Sequence, residues 1–160
     1  MLNAVVHGSP VGPLSLVSDG ARLVGLHFAG WTLPAAAIGA SDQVLSEAAR
    51  QLDAYFAGRL RTFELPLGLE GTPFQQRVWS ALRDVPFGET RSYAQLAKAI
   101  GMPSAMRAVG AANGRNPIAI VVPCHRVVGA DGSLTGFGGG IERKKFLLRL
   151  EQGRQLQLTG

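Results

Sequence analysis

One cysteine, Cys124, stands in 160 residues. A single thiol closes no intramolecular disulfide and builds no multi-cysteine metal site. That excludes a disulfide scaffold and a zinc ribbon, and it places the chain in a reducing compartment, the cytoplasm. No run approaches the roughly 18 apolar residues that a membrane-spanning helix needs. The opening residues show neither a basic leader nor a long apolar stretch, so no secretory signal is expected. The three histidines, His7, His27 and His125, lie far apart without metal-ligand spacing, and no metal is expected. There is no internal repeat and no glycine-rich phosphate loop between a strand and a helix.

What remains is an apolar, unevenly charged chain. It is 46% hydrophobic and 17% charged with a net charge of +5, enough apolar mass for one domain or two small ones. Residues 1–71 carry four basic side chains against six acidic, and residues 72–160 carry twelve against five. A basic half of this kind suits a polyanion such as nucleic acid, although solvated surface gives the same count.

The first half reads as a scaffold. Leu14-Ser15-Leu16-Val17 and Leu23-Val24-Gly25-Leu26 flank the turn signal Ser18-Asp19-Gly20 and predict a hairpin. Ser41 or Asp42 predicts the cap of a helix running to Ala57, with Val44, Leu45, Ala48, Leu52, Tyr55 and Phe56 on one stripe. Residues 63–69 alternate and predict a further strand.

The second half opens at Gly71-Thr72-Pro73, where Thr72 predicts a cap with Pro73 at the first helical position. A short helix over Ser92–Ile100, the turn Gly101-Met102-Pro103, and a second helix capped by Ser104 and running from Ala105 to Asn113 read as a helix-turn-helix or as an ordinary helical corner. Ile118–Val122 is apolar and mostly β-branched, and predicts a buried strand that delivers Pro123-Cys124. Gly136-Phe137-Gly138-Gly139-Gly140 suggests either a backbone that approaches a ligand closely or a flexible loop. Ile141–Leu150 predicts a last helix, basic on one side at Arg143, Lys144, Lys145 and Arg149. The fold class is α+β: a small N-terminal α/β scaffold domain, residues 1–71, then a mostly helical C-terminal domain, residues 72–160, with the helix-turn-helix.

Cys124 is either a small buried hydrophobe or a nucleophile. Its neighbours His125 and Arg126 favour a thiolate. Adjacent residues at a strand end point different ways, so a water would carry the proton between thiol and imidazole, with Glu151 either an orienter or simply a solvated helix end.

Pro123-Cys124-His125-Arg126-Val127 resembles the signature of the O6-alkylguanine-DNA alkyltransferases. The likeness extends to Phe74-Gln75-Gln76-Arg77-Val78-Trp79, Gly88-Glu89-Thr90-Arg91-Ser92-Tyr93, Arg107-Ala108-Val109-Gly110 and Asn116-Pro117, in the right order over most of residues 72–151. Ser9–Leu14 and Tyr55-Phe56-Ala57-Gly58 match more loosely. The resemblance implies repair by direct reversal. The alkyl group passes from O6 of guanine, and less readily from O4 of thymine, to the protein's own cysteine, once per molecule, after the base is flipped out of duplex DNA. It implies Cys124 as acceptor, His125 as base through water, Glu151 as orienter, Tyr93 as donor to the leaving guanine, and Asn116 as the tie between the helix-turn-helix and the site. It implies Arg107 as the side chain that fills the gap in the base stack. Ala105, Ala108, Gly110, Ala111 and Arg115 would lie along the minor groove. Tyr93, Val127, Phe137 and Gly138 would line the pocket. Two positions depart from some relatives, which carry tyrosine at Phe137 and serine at Gly138. Packing by the Phe137 ring and an N–H at Gly138 remain. The resemblance implies no cofactor, no membrane, and a monomer whose partner is double-stranded DNA containing O6-alkylguanine.

Two other readings compete. A non-catalytic lesion sensor would have its cysteine replaced, and Cys124 is present. A cysteine hydrolase would need an oxyanion hole and turnover on a small substrate.

Overall fold

The computed structural model describes residues 2–32, 41–134, 137 and 139–153. It divides into two compact units, residues up to Glu70 with Pro117–Ala119, and Gly71–Asn116 with the chain from Ile120 onward.

In the first unit, β1 (Asn3–His7), β2 (Leu14–Ser18) and β3 (Leu23–His27) form an antiparallel sheet in that order. The hairpin turn is held by Asp19, whose carboxylate accepts from the N–H groups of Ala21 and Arg22, while Gly20 takes φ +94. β1 escapes sequence reading because it is a sheet edge with only Ala4 buried among its five residues, so no strong apolar alternation marks it. α1 (Gln43–Phe56) starts on Asp42, whose Oδ1 accepts from the N–H of Leu45. The other carboxylate oxygen accepts from Asn3 and Ser18, which ties the helix start to the sheet. Leu45, Ala48, Leu52 and Tyr55 are buried, as their spacing predicts.

The strand expected over 63–69 does not form. Only Leu67 makes a bridge, to Leu23. Gln51 occupies both backbone groups of Glu64, accepting from its N–H and donating to its carbonyl, and Pro66 has no N–H to give.

The second unit is mostly helical. α2 (Pro73–Arg83) opens on a capping box between Thr72 and Gln75 with Pro73 at its start. Trp79 is buried and its indole N–H donates to the carbonyl of Ala112 at 2.8 Å. A Cβ at Gly71 would come within 2.6 Å of that indole, so the ring's seat requires glycine there. α3 (Tyr93–Ala99) opens on a second capping box, between Ser92 and Gln95. A turn with Gly101 at φ +76 leads into α4 (Met106–Gly114), which packs on α2 and α3. Ser104 is not the cap expected of it. The Met102 carbonyl accepts the Ala105 N–H and closes a turn around Pro103-Ser104, so the cap position falls on Ala105 and no side chain caps α4.

The strand expected over Ile118–Val122 is also absent. Ile118 makes a single bridge, to Leu26. The chain then turns at Ile120, whose φ of +71 is the only positive value of a non-glycine among the described residues. A β-branched residue in that region is strained. The run is apolar because Ile118, Ala119, Ile120 and Val122 are all buried, not because it pairs in a sheet. After Pro123, Cys124–Arg126 form one 3-10 turn, and β5 (Val127–Val128) pairs in parallel with β4 (Arg91–Ser92). α5 (Ile141–Gln152) closes the unit.

Candidate active site

The pairing of β4 with β5 sets Ser92 against Val128. It thereby brings Tyr93, the first residue of α3, beside the segment that carries Cys124. α4 supplies a third wall. Its inward face holds Val109, Ala112 and Asn113. The side chain of Asn113 donates to the Cys124 carbonyl at 3.4 Å, and Asn116, just past the helix, donates to the Val122 carbonyl at 2.7 Å. Two asparagines of one helix end thus hold the cysteine turn from both sides.

Cys124 is buried. Burial raises its pKa, since a thiolate is poorly solvated there. A hydrogen bond from the Asn116 side chain and the positive field of Lys144 work against that shift. Tyr93 is half-buried, and burial with the field of Cys124 raises its pKa, so the phenol keeps its proton and stays a donor.

His125 is fully buried, and its Nε2 lies 2.6 Å from Oε2 of Glu151. Glu151 is buried too, not the solvated helix end that its position near the C-terminus of α5 suggests. Its pKa falls to about 2; burial opposes this, and the His125 hydrogen bond and the Arg126 pair overcome it. An ionised carboxylate can only accept, so Nε2 of His125 bears the hydrogen and Nδ1 has a free lone pair. That Nδ1 is buried with no hydrogen-bond partner among the described residues. Burial lowers the pKa of His125 and keeps the ring neutral.

Arg126, expected to favour the thiolate directly, is instead paired with the carboxylate behind the imidazole. It grips Glu151 with both arms, Nε to Oε1 at 2.8 Å and Nη2 to Oε2 at 3.0 Å, and gives Nη1 to the Val85 carbonyl at 2.7 Å. Its guanidinium carbon sits 5.7 Å from the centroid of the Phe87 ring. Such a bidentate pair fixes the carboxylate in orientation as well as in charge.

The sequence pattern puts Lys144 on the basic side of the helix; in the fold it is fully buried. The buried face of α5 is Lys144, Leu147, Leu148 and Glu151, a stripe of four residues at i, i+3, i+4 and i+7 with a charge at each end. That spacing was visible; the two charges hid it. Lys144 Nζ lies 5.8 Å from the centroid of the Phe137 ring. Burial lowers its pKa, and Cys124 raises it again. We expect Lys144→Met to raise the pKa of the Cys124 thiol, read from the pH dependence of its alkylation by iodoacetamide. Stability should hold or rise, since a buried ammonium is costly. A thiol pKa unchanged by the substitution would remove Lys144 from the site.

The remaining residues divide in two. Arg107, Ala108 and Ala111 lie exposed along the outer face of α4, and Arg115, its C-cap, is exposed as well. Ala105 is half-buried at the cap position, and Gly110 faces the Tyr93 ring, where a Cβ would meet ring carbons at 3.7 Å. Val127 is fully buried in β5. Gly138, with Gly136 of the glycine-rich run, lies outside the described residues. Among the described residues no group of three metal-ligating side chains occurs, and no helix is long and apolar enough to cross a membrane.

The chain matches two family models. Residues 73–153 match the DNA-binding domain of 6-O-methylguanine DNA methyltransferase, and residues 5–69 match the ribonuclease-like domain of the same protein. It is 55% identical over 148 residues to a methylated-DNA–protein-cysteine methyltransferase of Mycobacterium tuberculosis, covering 91% of this chain and 90% of the relative. It is 50% identical over 147 residues to one from Methanosarcina acetivorans, covering 89% and 94%. The crystal structure of Mycobacterium tuberculosis O6-methylguanine methyltransferase superposes with a TM-score of 0.87 at 50% identity over the whole of both chains. That of Mycobacterium tuberculosis OGT in complex with DNA gives 0.88 at 50% identity over 99% of each.

Proposed function

Since this chain belongs to the 6-O-methylguanine DNA methyltransferase family, we propose that it removes the alkyl group from O6 of guanine in duplex DNA and keeps it on Cys124. It is a transferase that binds DNA. The observation that carries the assignment of the acceptor is the buried run Cys124–His125–Glu151, with the imidazole oriented by a fixed carboxylate and its second nitrogen open.

The chemistry is a displacement. The thiol proton passes through water to Nδ1 of His125, and the thiolate attacks the alkyl carbon. The S–C bond forms as the C–O6 bond breaks. The leaving guanine takes a proton at its ring from the Tyr93 hydroxyl, which relieves the charge developing on it. The proton held by His125 then restores Tyr93 through solvent. The thioether has no route back, so each molecule acts once. An interior thiol cannot reach a stacked base, so the nucleotide must rotate out of the duplex. O4-alkylthymine presents the same alkyl ether and is the slower substrate. The small exposed residues Ala108 and Ala111 would let α4 lie close in the minor groove, with Arg107 in the gap. A monomer in the cytoplasm suffices for this task.

Incubation with duplex DNA carrying O6-methylguanine should add one methyl mass to the protein, on the peptide containing Cys124, and stop there. Repeated turnover without a mass gain would favour a hydrolase, and binding without mass gain a sensor. Arg107→Ala should slow transfer from duplex DNA about tenfold or more, the scale of a lost charge-assisted contact. It should leave the reaction with free O6-benzylguanine nearly unchanged. Equal slowing on both substrates would place Arg107 elsewhere.

A further inference from the structure

Two buried acceptors beside the nucleophile are left over. One is Nδ1 of His125, already described. The other is Oδ1 of Asn113, a residue 2% exposed whose amide nitrogen is turned to the Cys124 carbonyl. Oδ1 also has no partner among the described residues. A buried acceptor without a donor costs about 1–3 kcal/mol, so two in one site call for a shared donor. No side chain among the described residues supplies it: the neighbouring Asn116 amide is engaged with the Val122 carbonyl and with Cys124.

We propose that Asn113 is a positioning residue for the proton relay. A single water gives one hydrogen to Nδ1 of His125 and the other to Oδ1 of Asn113. Both its hydrogens are then committed, so its oxygen faces the Cys124 S–H as an acceptor only. Three partners are the usual complement of a buried water. In that orientation the thiol proton has one path, to the water oxygen while the water passes a proton to Nδ1. Without Asn113 the water can turn its second hydrogen to the sulfur and compete with the transfer. Asn113 itself exchanges no proton. Its place on the buried face of α4, with Arg107 and Ala111 on the exposed face, links the helix proposed to touch DNA to the activation of the thiol.

The inference rests on the assignment of Cys124 and His125 above, so its test avoids DNA. Iodoacetamide alkylates a thiolate without a lesion or a flipped base. The S–C bond forms, iodide leaves, and the thiol proton ends on Nδ1. Rates against pH would be measured for the native protein, Asn113→Leu, His125→Ala and the double variant. Asn113→Leu should slow alkylation at pH 7 about tenfold and move its acid limb to higher pH. In the His125→Ala background the same change should slow it less than about twofold, because the relay it serves is gone. Equal slowing in both backgrounds, or none in either, would overturn the proposal. If Asn113→Leu does not fold, Asn113→Ala deletes the amide without adding bulk and carries the same expectation. A native protein that reacts with iodoacetamide as described but takes nothing from O6-methylguanine DNA would sink the repair reading and leave the relay standing.

Discussion

Cys124→Ala is expected to abolish alkyl transfer outright while leaving DNA affinity within about tenfold of native. The first half follows from the count: there is one cysteine, and among the groups around it the thiol alone forms a stable thioether. Tyr93 keeps its proton, and the neutral imidazole of His125 is a far weaker nucleophile than a thiolate, so neither takes over. The second half follows from where affinity arises. Protein–DNA binding is dominated by phosphate and groove contacts, and Arg107 on the outer face of α4 and Arg115 at its C-cap are exposed, whereas the thiol is buried. The fold should survive, because trading a buried thiol for a methyl removes about one heavy atom from the core, roughly 1 kcal/mol. Intact mass after incubation with O6-methylguanine duplex, beside a titration of the same duplex, reads both halves. A residual methyl mass on the variant would move the acceptor away from Cys124. Lost DNA binding with a native circular dichroism spectrum would mean that the thiol region belongs to the DNA surface.

Much of this site was legible because its residues are consecutive or nearly so. Cys124, His125 and Arg126 form one short turn, and the cap at Thr72 marks the start of α2, which packs on it. What was illegible depends on partners distant in sequence. Glu151 is named from sequence as an orienter, but its burial and its second partner are not legible until α5 carries it to within 2.6 Å of His125 and 2.8 Å of Arg126. Lys144 reads as a solvated charge until the same helix turns it inward. Asn113 looks like one more polar residue near a helix end, and only the Cys124 carbonyl gives it a task. The misread strand has the same origin. An apolar β-branched run predicts burial correctly, but burial and strand pairing are separate facts. The left-handed backbone at Ile120 cannot be inferred from a residue that disfavours it. The N-terminal hairpin and α1 were read well because each is fixed locally, by Asp19 and Asp42.

The largest effect after loss of the thiol should come from the imidazole and the carboxylate behind it. His125→Ala should slow transfer about 10²–10⁴-fold, the span of a lost general base, with partial rescue at high pH where an unassisted thiol ionises. Glu151→Gln should be the milder kinetic defect, about tenfold or more, because an amide oxygen still receives Nε2–H but no longer stabilises the imidazolium that forms. Its defect in stability should be the greater. Arg126 would be left buried without its anion, which costs about 3–5 kcal/mol. The pH dependence separates the roles. His125 has a folded pKa below its ordinary 6.5, so it is protonated more readily unfolded. Its share of stability is present above pH 6.5 and is lost as pH falls below that value. The native rate should therefore hold through pH 6.5 and fall on its acid side. Glu151 has a folded pKa of about 2 against 4.5. Its share is present above pH 4.5 and is lost between 4.5 and about 2. The native protein should lose stability through both windows. Glu151→Gln starts less stable and lacks the second window, so between pH 4.5 and 2 its stability should fall less steeply, by up to about 1.4 kcal/mol per pH unit for one proton. Urea melts across pH 2–8, beside single-turnover rates for the three proteins, test both parts. Parallel stability curves for native and Gln variant below pH 4.5 would show that Glu151 titrates normally. Superimposable rate profiles would show that Cys124 is activated by a group other than His125.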